Sequence, residues 1–328
     1  MINHVRYFLK SALIGIAFMT LSGLAQADYP NKPITLVSPY GPGGLADLAA
    51  RALASNVTSF IDKPVVVVNR AGAAGVTGST FVAKSSPDGY TLLLARVGSQ
   101  AAVPAINKRT PYKWDEFTFL GLLELNNFAL VVNEKSKYKT FKELVSAIKS
   151  GEKLSYASTG VGTLLHFGML MMLNEIGVSA DSLKHIPYKG GGNAMAAVSG
   201  GHVDMMFQGL SGVMGGIESG QLRALAVTSP KRDPIVKSVP TVAELGYPGL
   251  EAVVGWSALY GPPNLPKPVV DKWVAVLGKL KTDPSWIEAT KKLGSIPDIQ
   301  SPANTKVFVG KQYEEFKKLV DKLNLAIN

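Results

Sequence analysis

Two glycine-rich segments hold the residue types best suited to chemistry. The first is Tyr40-Gly41-Pro42-Gly43-Gly44-Leu45-Ala46 and the second is Ser158-Thr159-Gly160-Val161-Gly162-Thr163. Each follows a short apolar run and precedes a helical period. Each therefore aims the free N–H groups of a helix start beyond the carboxyl end of a strand. Amides gathered in this way bind carboxylates and similar anions. Gly41 to Ala46 also satisfies the G-x-G-x-x-A dinucleotide pattern, but the following run, Val65–Val68, ends in Asn69-Arg70 without an acid for a ribose hydroxyl. A tight turn feeding a helix explains these glycines with no ligand, whereas an anion cradle is the functional reading. Asp47, in the first helical turn, complements the helix dipole. In the second segment Ser158, Thr159 and Thr163 add hydroxyl donors, which equally suit plain N-capping.

Arg96 closes the apolar run Tyr90–Ala95, at the carboxyl end of an expected buried strand. A guanidinium placed there can grip a carboxylate with two parallel hydrogen bonds, or form a structural salt bridge. Ser99 and Gln100 follow it and add polar lining. Material for catalysis is thin. The sequence has no G-x-S-x-G elbow, Walker-A segment or H-E-x-x-H pair, and no cysteine. His166, His185 and His202 lack metal-pair spacing. A Ser158–His166–Asp204 triad can be drawn, against the plainer reading of a locally bonded histidine.

The elements that must position these groups alternate. Ile34–Pro39, Val65–Val68, Tyr90–Ala95, Leu154–Ala157, Leu183–Pro187, Met205–Phe207 and Ala224–Val227 read as buried strands, with helical segments such as Asp47–Ser59, Phe141–Lys149 and Thr163–Ile176 between them. Thr140 with Glu143, and Thr241 with Glu244, have capping-box spacing. A helix after Pro268 reaches about Leu280, and Thr305 to Leu325 is helical and amphipathic. The alternation predicts an α/β fold with mainly parallel sheets. Phe119–Asn133 and Ala252–Tyr260 are longer, and read as strands crossing between two lobes. Lobe 1 is then 28–126 plus 253–328, and lobe 2 is 127–252, so that both helix starts face one cleft.

Across the 328 residues, Lys and Arg number 34 against 24 Asp and Glu, a net charge of +10; hydrophobic residues make up 46 % and charged residues 18 %. Such a chain buries a sizeable core and is not disordered. Its basic residues are scattered and not interleaved with stacking aromatics, so no nucleic-acid partner is expected. Arg6 and Lys10, the apolar run Ala12–Leu24 and Ala25-Gln26-Ala27 form the three parts of a secretory signal peptide, 1–27. The run is too short to span a bilayer.

At this point the chain resembles a known family. Tyr29-Pro30-x-Lys32-Pro33-Ile34 followed by Pro39-Tyr40-x-Pro42-Gly43-Gly44-x-x-Asp47 is similar to the start of Bug-type solute receptors. These are the extracytoplasmic binding proteins of tripartite tricarboxylate transporters. The likeness continues through Val67-Val68-Asn69-Arg70-x-Gly72-Ala73-x-Gly75, Pro87-Asp88-Gly89-Tyr90-Thr91-Leu92, Gly160-x-Gly162-Thr163-x-x-His166, Ile186-Pro187-Tyr188-Lys189-Gly190, Gly200-Gly201-His202-Val203-Asp204-Met205-Met206-Phe207, Leu222-Arg223-Ala224-Leu225-Ala226-Val227-Thr228 and Val239-Pro240-Thr241-Val242-Ala243-Glu244.

The resemblance implies a two-lobed periplasmic binding protein of the type 2, Venus-flytrap class, closing on an organic acid. It implies that the loops matching Tyr40–Ala46 and Ser158–Thr163 hold a ligand carboxylate, with His166, Phe207, Gln208 and Trp256 near the cleft. It also implies a monomer in the periplasm that hands its ligand to inner-membrane transporter subunits, with no metal or redox cofactor and no catalysis. Many relatives carry an uncharged stretch where this chain has Ala95-Arg96-Val97-Gly98-Ser99-Gln100, which points to a dicarboxylate, aliphatic or aromatic, with one end in the glycine cradle and the other on Arg96. Leu45 stands where relatives have a small polar residue. An exported hydrolase using Ser158 and His166, and a receptor presenting its ligand to a sensor, remain the alternatives.

Overall fold

β-branched and leucine runs bounded by glycine or proline set the strands of the computed structural model, which describes residues 29–188, 190–234 and 236–327. The expected signal peptide lies outside the described residues. In chain order the first half contains β1 (Ile34–Ser38), α1 (Leu45–Val57), β2 (Val65–Asn69), α2 (Val76–Ala83), β3 (Thr91–Arg96), a π-turn at Gly98–Ala102 running into α3 (Val103–Ile106), β4 (Thr118–Asn126) and β5 (Phe128–Asn133). Then come α4 (Phe141–Lys149), β6 (Leu154–Ser158), α5 (Leu164–Glu175), β7 (Leu183–Pro187), α6 (Gly191–Ser199), β8 (Met205–Gly209), α7 (Leu210–Glu218) and β9 (Leu222–Val227). The chain ends with β10 (Gly255–Gly261), α8 (Lys267–Leu280), α9 (Pro284–Lys292), β11 (Ile296–Gln300) and α10 (Pro302–Lys322).

The strands form two sheets, ordered β11-β4-β10-β3-β1-β2 and β7-β6-β8-β5-β9. Both are mixed, which corrects the expectation of mainly parallel sheets. β1 pairs in parallel with β2 and β3, and β6 with β7 and β8, as βαβ units require. The segments that pass between the sheets return in the opposite sense, so β10 is antiparallel to β3 and β4, and β5 to β8 and β9.

The expected long strand Phe119–Asn133 is interrupted at Asn127, with β4 in the first sheet and β5 in the second. The return run also differs: 248–252 is a 3-10 turn, and β10 begins only at Gly255. Thr228 ties the two passages together. Its Oγ1 accepts from the Phe128 N–H at 3.0 Å and donates to the Val253 carbonyl at 2.9 Å.

α10 braces the same region. Gln312 accepts from Trp256 Nε1 at 2.6 Å and donates to the carbonyls of Ala252 (3.1 Å) and Val254 (2.9 Å). Further along, the Phe316 ring packs at a tilt on Phe167 of α5, with centroids 4.7 Å apart. The last helix thus packs against both the passage between the sheets and the helix that carries the second glycine loop. The Thr140–Glu143 capping box forms at the start of α4. Thr241 and Glu244 exchange the same pair of bonds, yet only one turn follows, because the chain swings away at Gly246 (φ +89°) toward Pro248.

Candidate functional site

The first glycine loop joins β1 to α1. Gly43 adopts φ +77°, a left-handed conformation that disfavours side chains, and Gly44 caps α1 without a side-chain bond. The Asp47 carboxylate folds back to accept from the Gly43 N–H (2.9 Å), Asn69 Nδ2 (2.9 Å) and Arg51 Nε (3.0 Å). Burial opposes its ionisation, but these bonds from Arg51, Gly43 and Asn69 outweigh burial and hold the carboxyl below its usual range. Asn69 Nδ2 also reaches the Tyr40 carbonyl at 3.1 Å. The loop is thereby pinned, and its one acid is neutralised. The N–H groups of Leu45 and Ala46 take no partner from the described residues. Tyr40 donates its hydroxyl to the Ala74 carbonyl at 3.0 Å, and burial pushes its phenol up to about 12 despite the nearby Arg96.

The second loop joins β6 to α5 and is built in the same way. Thr163 Oγ1 donates to the Gly160 carbonyl at 2.8 Å, and the Gly160 N–H donates to Ser158 Oγ at 3.0 Å. Ser158 Oγ lies 2.6 Å from His185 Nε2. The Gly162 N–H donates to His166 Nδ1 at 3.4 Å, which leaves the ring proton on Nε2. The rings of Tyr156, His185 and His166 stack in series, with centroids 4.8 Å and 4.6 Å apart. Burial, and next the neighbouring His185, push His166 down to about 4; burial also lowers His185. The N–H groups of Leu164 and Leu165 take no partner from the described residues. Gly162 (φ +80°) lies against α3, so that a Cβ there would come within 3.1 Å of Ile106 Cγ2. The second loop therefore touches the first lobe.

Arg96 is nearly buried at the carboxyl end of β3. Strand register places Arg96 opposite Ser257 of β10, and Ser257 opposite Glu124 of β4. Arg96 Nη1 donates to Ser257 Oγ (2.5 Å) and to Glu124 Oε1 (3.4 Å), while Nη2 donates to Asn126 Oδ1 (3.2 Å). The salt-bridge reading of Arg96 is thus realised, with three of the guanidinium's N–H groups engaged inside the chain. By strand alternation Arg96 shares the face of Leu92 and Leu94, the face against which α1 packs.

The remaining expected residues are placed as follows. Ser99 and Gln100 are fully buried; Ser99 Oγ donates to the Arg96 carbonyl and Gln100 Nε2 to Ser79 Oγ. Phe207 is buried beneath Gly168 of α5, and Gln208, on the opposite face, is half-buried and accepts from the Gly209 N–H. Trp256 is buried with its indole on Gln312. The sketched triad is not assembled: Ser158 meets His185, and Asp204 accepts from the N–H and hydroxyl of Ser155, both at 2.7 Å. His185 is the site residue that sequence reasoning missed. Its signal lay in strand pairing, since parallel β6 and β7 set it beside Tyr156. Among the described residues no cluster of His, Asp or Glu could hold a metal ion, and no helix is long and apolar enough to cross a membrane.

The chain matches the model of the tripartite tricarboxylate transporter family receptor over residues 49–325. It is similar to the solved structure of the periplasmic binding protein BugD, at 33 % identity and a TM-score of 0.78, covering 91 % of this chain and 99 % of that one. MatC from Rhodopseudomonas palustris, solved with bound malate, is 26 % identical with a TM-score of 0.79, covering 89 % and 100 %. Rpa4515 of R. palustris, solved with adipate, is 25 % identical with a TM-score of 0.82, covering 91 % and 99 %. With this match over most of its length and this two-lobed fold, the chain belongs to the receptor family of tripartite tricarboxylate transporters, as a Bug-type solute-binding receptor.

Proposed function

We propose that the protein captures a small dicarboxylate in the periplasm and delivers it to the membrane subunits of a tripartite transporter. The observation that carries this reading is the pair of strand–loop–helix units. Each ends in first-turn amides with no partner among the described residues, and neither presents an unpaired carboxylate. One ligand carboxylate is held by the N–H groups of Leu45 and Ala46 and, on closure, by those of Leu164 and Leu165, with the His166 Nε2–H beside them. Closure removes water and strengthens these bonds, which shifts the population toward the closed form. MatC with malate and Rpa4515 with adipate support the acid class, since both ligands are diacids.

The second carboxylate falls to Arg96, through the two guanidinium N–H groups that its partners Ser257, Glu124 and Asn126 leave over. Arg96→Ala alone would strand Glu124 in the interior and damage the fold by several kcal/mol. The informative variant is Arg96→Met combined with Glu124→Gln, which removes both charges at similar volume. The expected result in calorimetric titration is at least about tenfold weaker diacid binding with monocarboxylate binding unchanged. Equal diacid affinity in the folded double variant would remove Arg96 from the site.

A further inference from the structure

Of the polar side chains on the loops that face the ligand, all but one are spent inside the chain; the hydroxyl of half-buried Thr159 takes no partner from the described residues. Thr163 bonds the Gly160 carbonyl, Ser158 is shared between His185 and the Gly160 N–H, and Tyr40 is given to the Ala74 carbonyl. What the two loops leave uncovered is largely aliphatic. Val161 is 51 % exposed between its two glycines, and Leu45 is half-buried at the first position of α1. Beside them, Gly162 rests on Val103 and Ile106. An acid whose carboxylate sits on the first-turn amides would then have Val161 and Leu45 as hydrocarbon neighbours, with Thr159 as the one loop hydroxyl left over.

We infer that the cleft selects acids whose body is unsubstituted hydrocarbon over acids that carry hydroxyl groups between the carboxylates. This rests on the carboxylate-capture reading and sharpens it to a substrate class. A hydroxyl carried from water to such a wall loses its hydrogen bonds and finds few replacements. The expected penalty is roughly 10- to 100-fold in affinity for the first hydroxyl.

The test is calorimetric titration of the purified protein with succinate, malate and tartrate, which share one carbon skeleton and differ only in hydroxyls. Affinity should fall along that order. In Val161→Ser and Leu45→Ser variants the ratio of succinate to malate affinity should shrink several-fold, because each restores a polar partner. Binding of malate or tartrate at least as tight as succinate overturns the inference and leaves carboxylate capture standing. No binding of any diacid, by folded protein that does bind another class of solute, overturns both.

Discussion

Lowering the pH from about 7 to about 5 should destabilise the protein through His166. The imidazole is held at about 4 in the folded chain against 6.5 for a free side chain. Between those values the unfolded chain takes up a proton that the folded chain refuses. The stabilisation is therefore present above 6.5, is lost as the pH falls from 6.5 toward about 4, and is constant below. The gap amounts to about 3 kcal/mol in full, of which about 2 kcal/mol is gone by about pH 5. His185, also lowered by burial, adds to the same slope. The assay is urea unfolding followed by tryptophan fluorescence at each pH, for the native chain and for His166→Gln. The glutamine retains an acceptor for the Gly162 N–H but does not titrate. Its stability should change with pH by about 2 kcal/mol less than that of the native chain. An identical pH dependence in the two proteins would refute the view that His166 is buried neutral beneath the loop.

Two further perturbations test the scaffold. Gly162→Ala places a side chain at φ +80° and within 3.1 Å of Ile106, so thermal unfolding should show a loss of about 1–3 kcal/mol and diacid affinity should fall with it. Gln312→Leu removes the acceptor of the Trp256 indole and the donor to two carbonyls; denaturant unfolding should register a loss of about 2–4 kcal/mol, far more than Lys317→Ala in its exposed pair with Asp321.

Local signals carried the loops and much of the alternation into the sequence. The strand Leu183–Pro187 and the helix Phe141–Lys149 are bounded by turn and cap residues, and both fold within the limits that the pattern predicts. Long-range facts did not show. Sheet sense depends on how β10 and β5 return, which no window of residues records. Arg96 sits at a strand end whichever partner it takes, and only the register that sets Ser257 and Glu124 across from it selects the ion pair. The family resemblance sets Trp256 near the cleft, but its indole is claimed by Gln312, far along the chain. The Thr241–Glu244 box forms its bonds without a helix, because Gly246 and Pro248 stop the turn that the cap begins. The strand Ile296–Gln300 carries a proline and polar residues, and it forms only at the sheet edge, where a missing N–H is tolerated. His185 sits mid-way along β7, half-buried next to exposed Lys184, and acquires its role only by stacking on Tyr156.

The most direct test of the central claim is a crystal structure of the protein with bound succinate or adipate. A ligand carboxylate should lie at about 2.7–3.2 Å from the amide nitrogens of Leu45 or Ala46 on one lobe and Leu164 or Leu165 on the other. A diacid bound away from both loops, or held by side chains with those amides left to solvent, would contradict it.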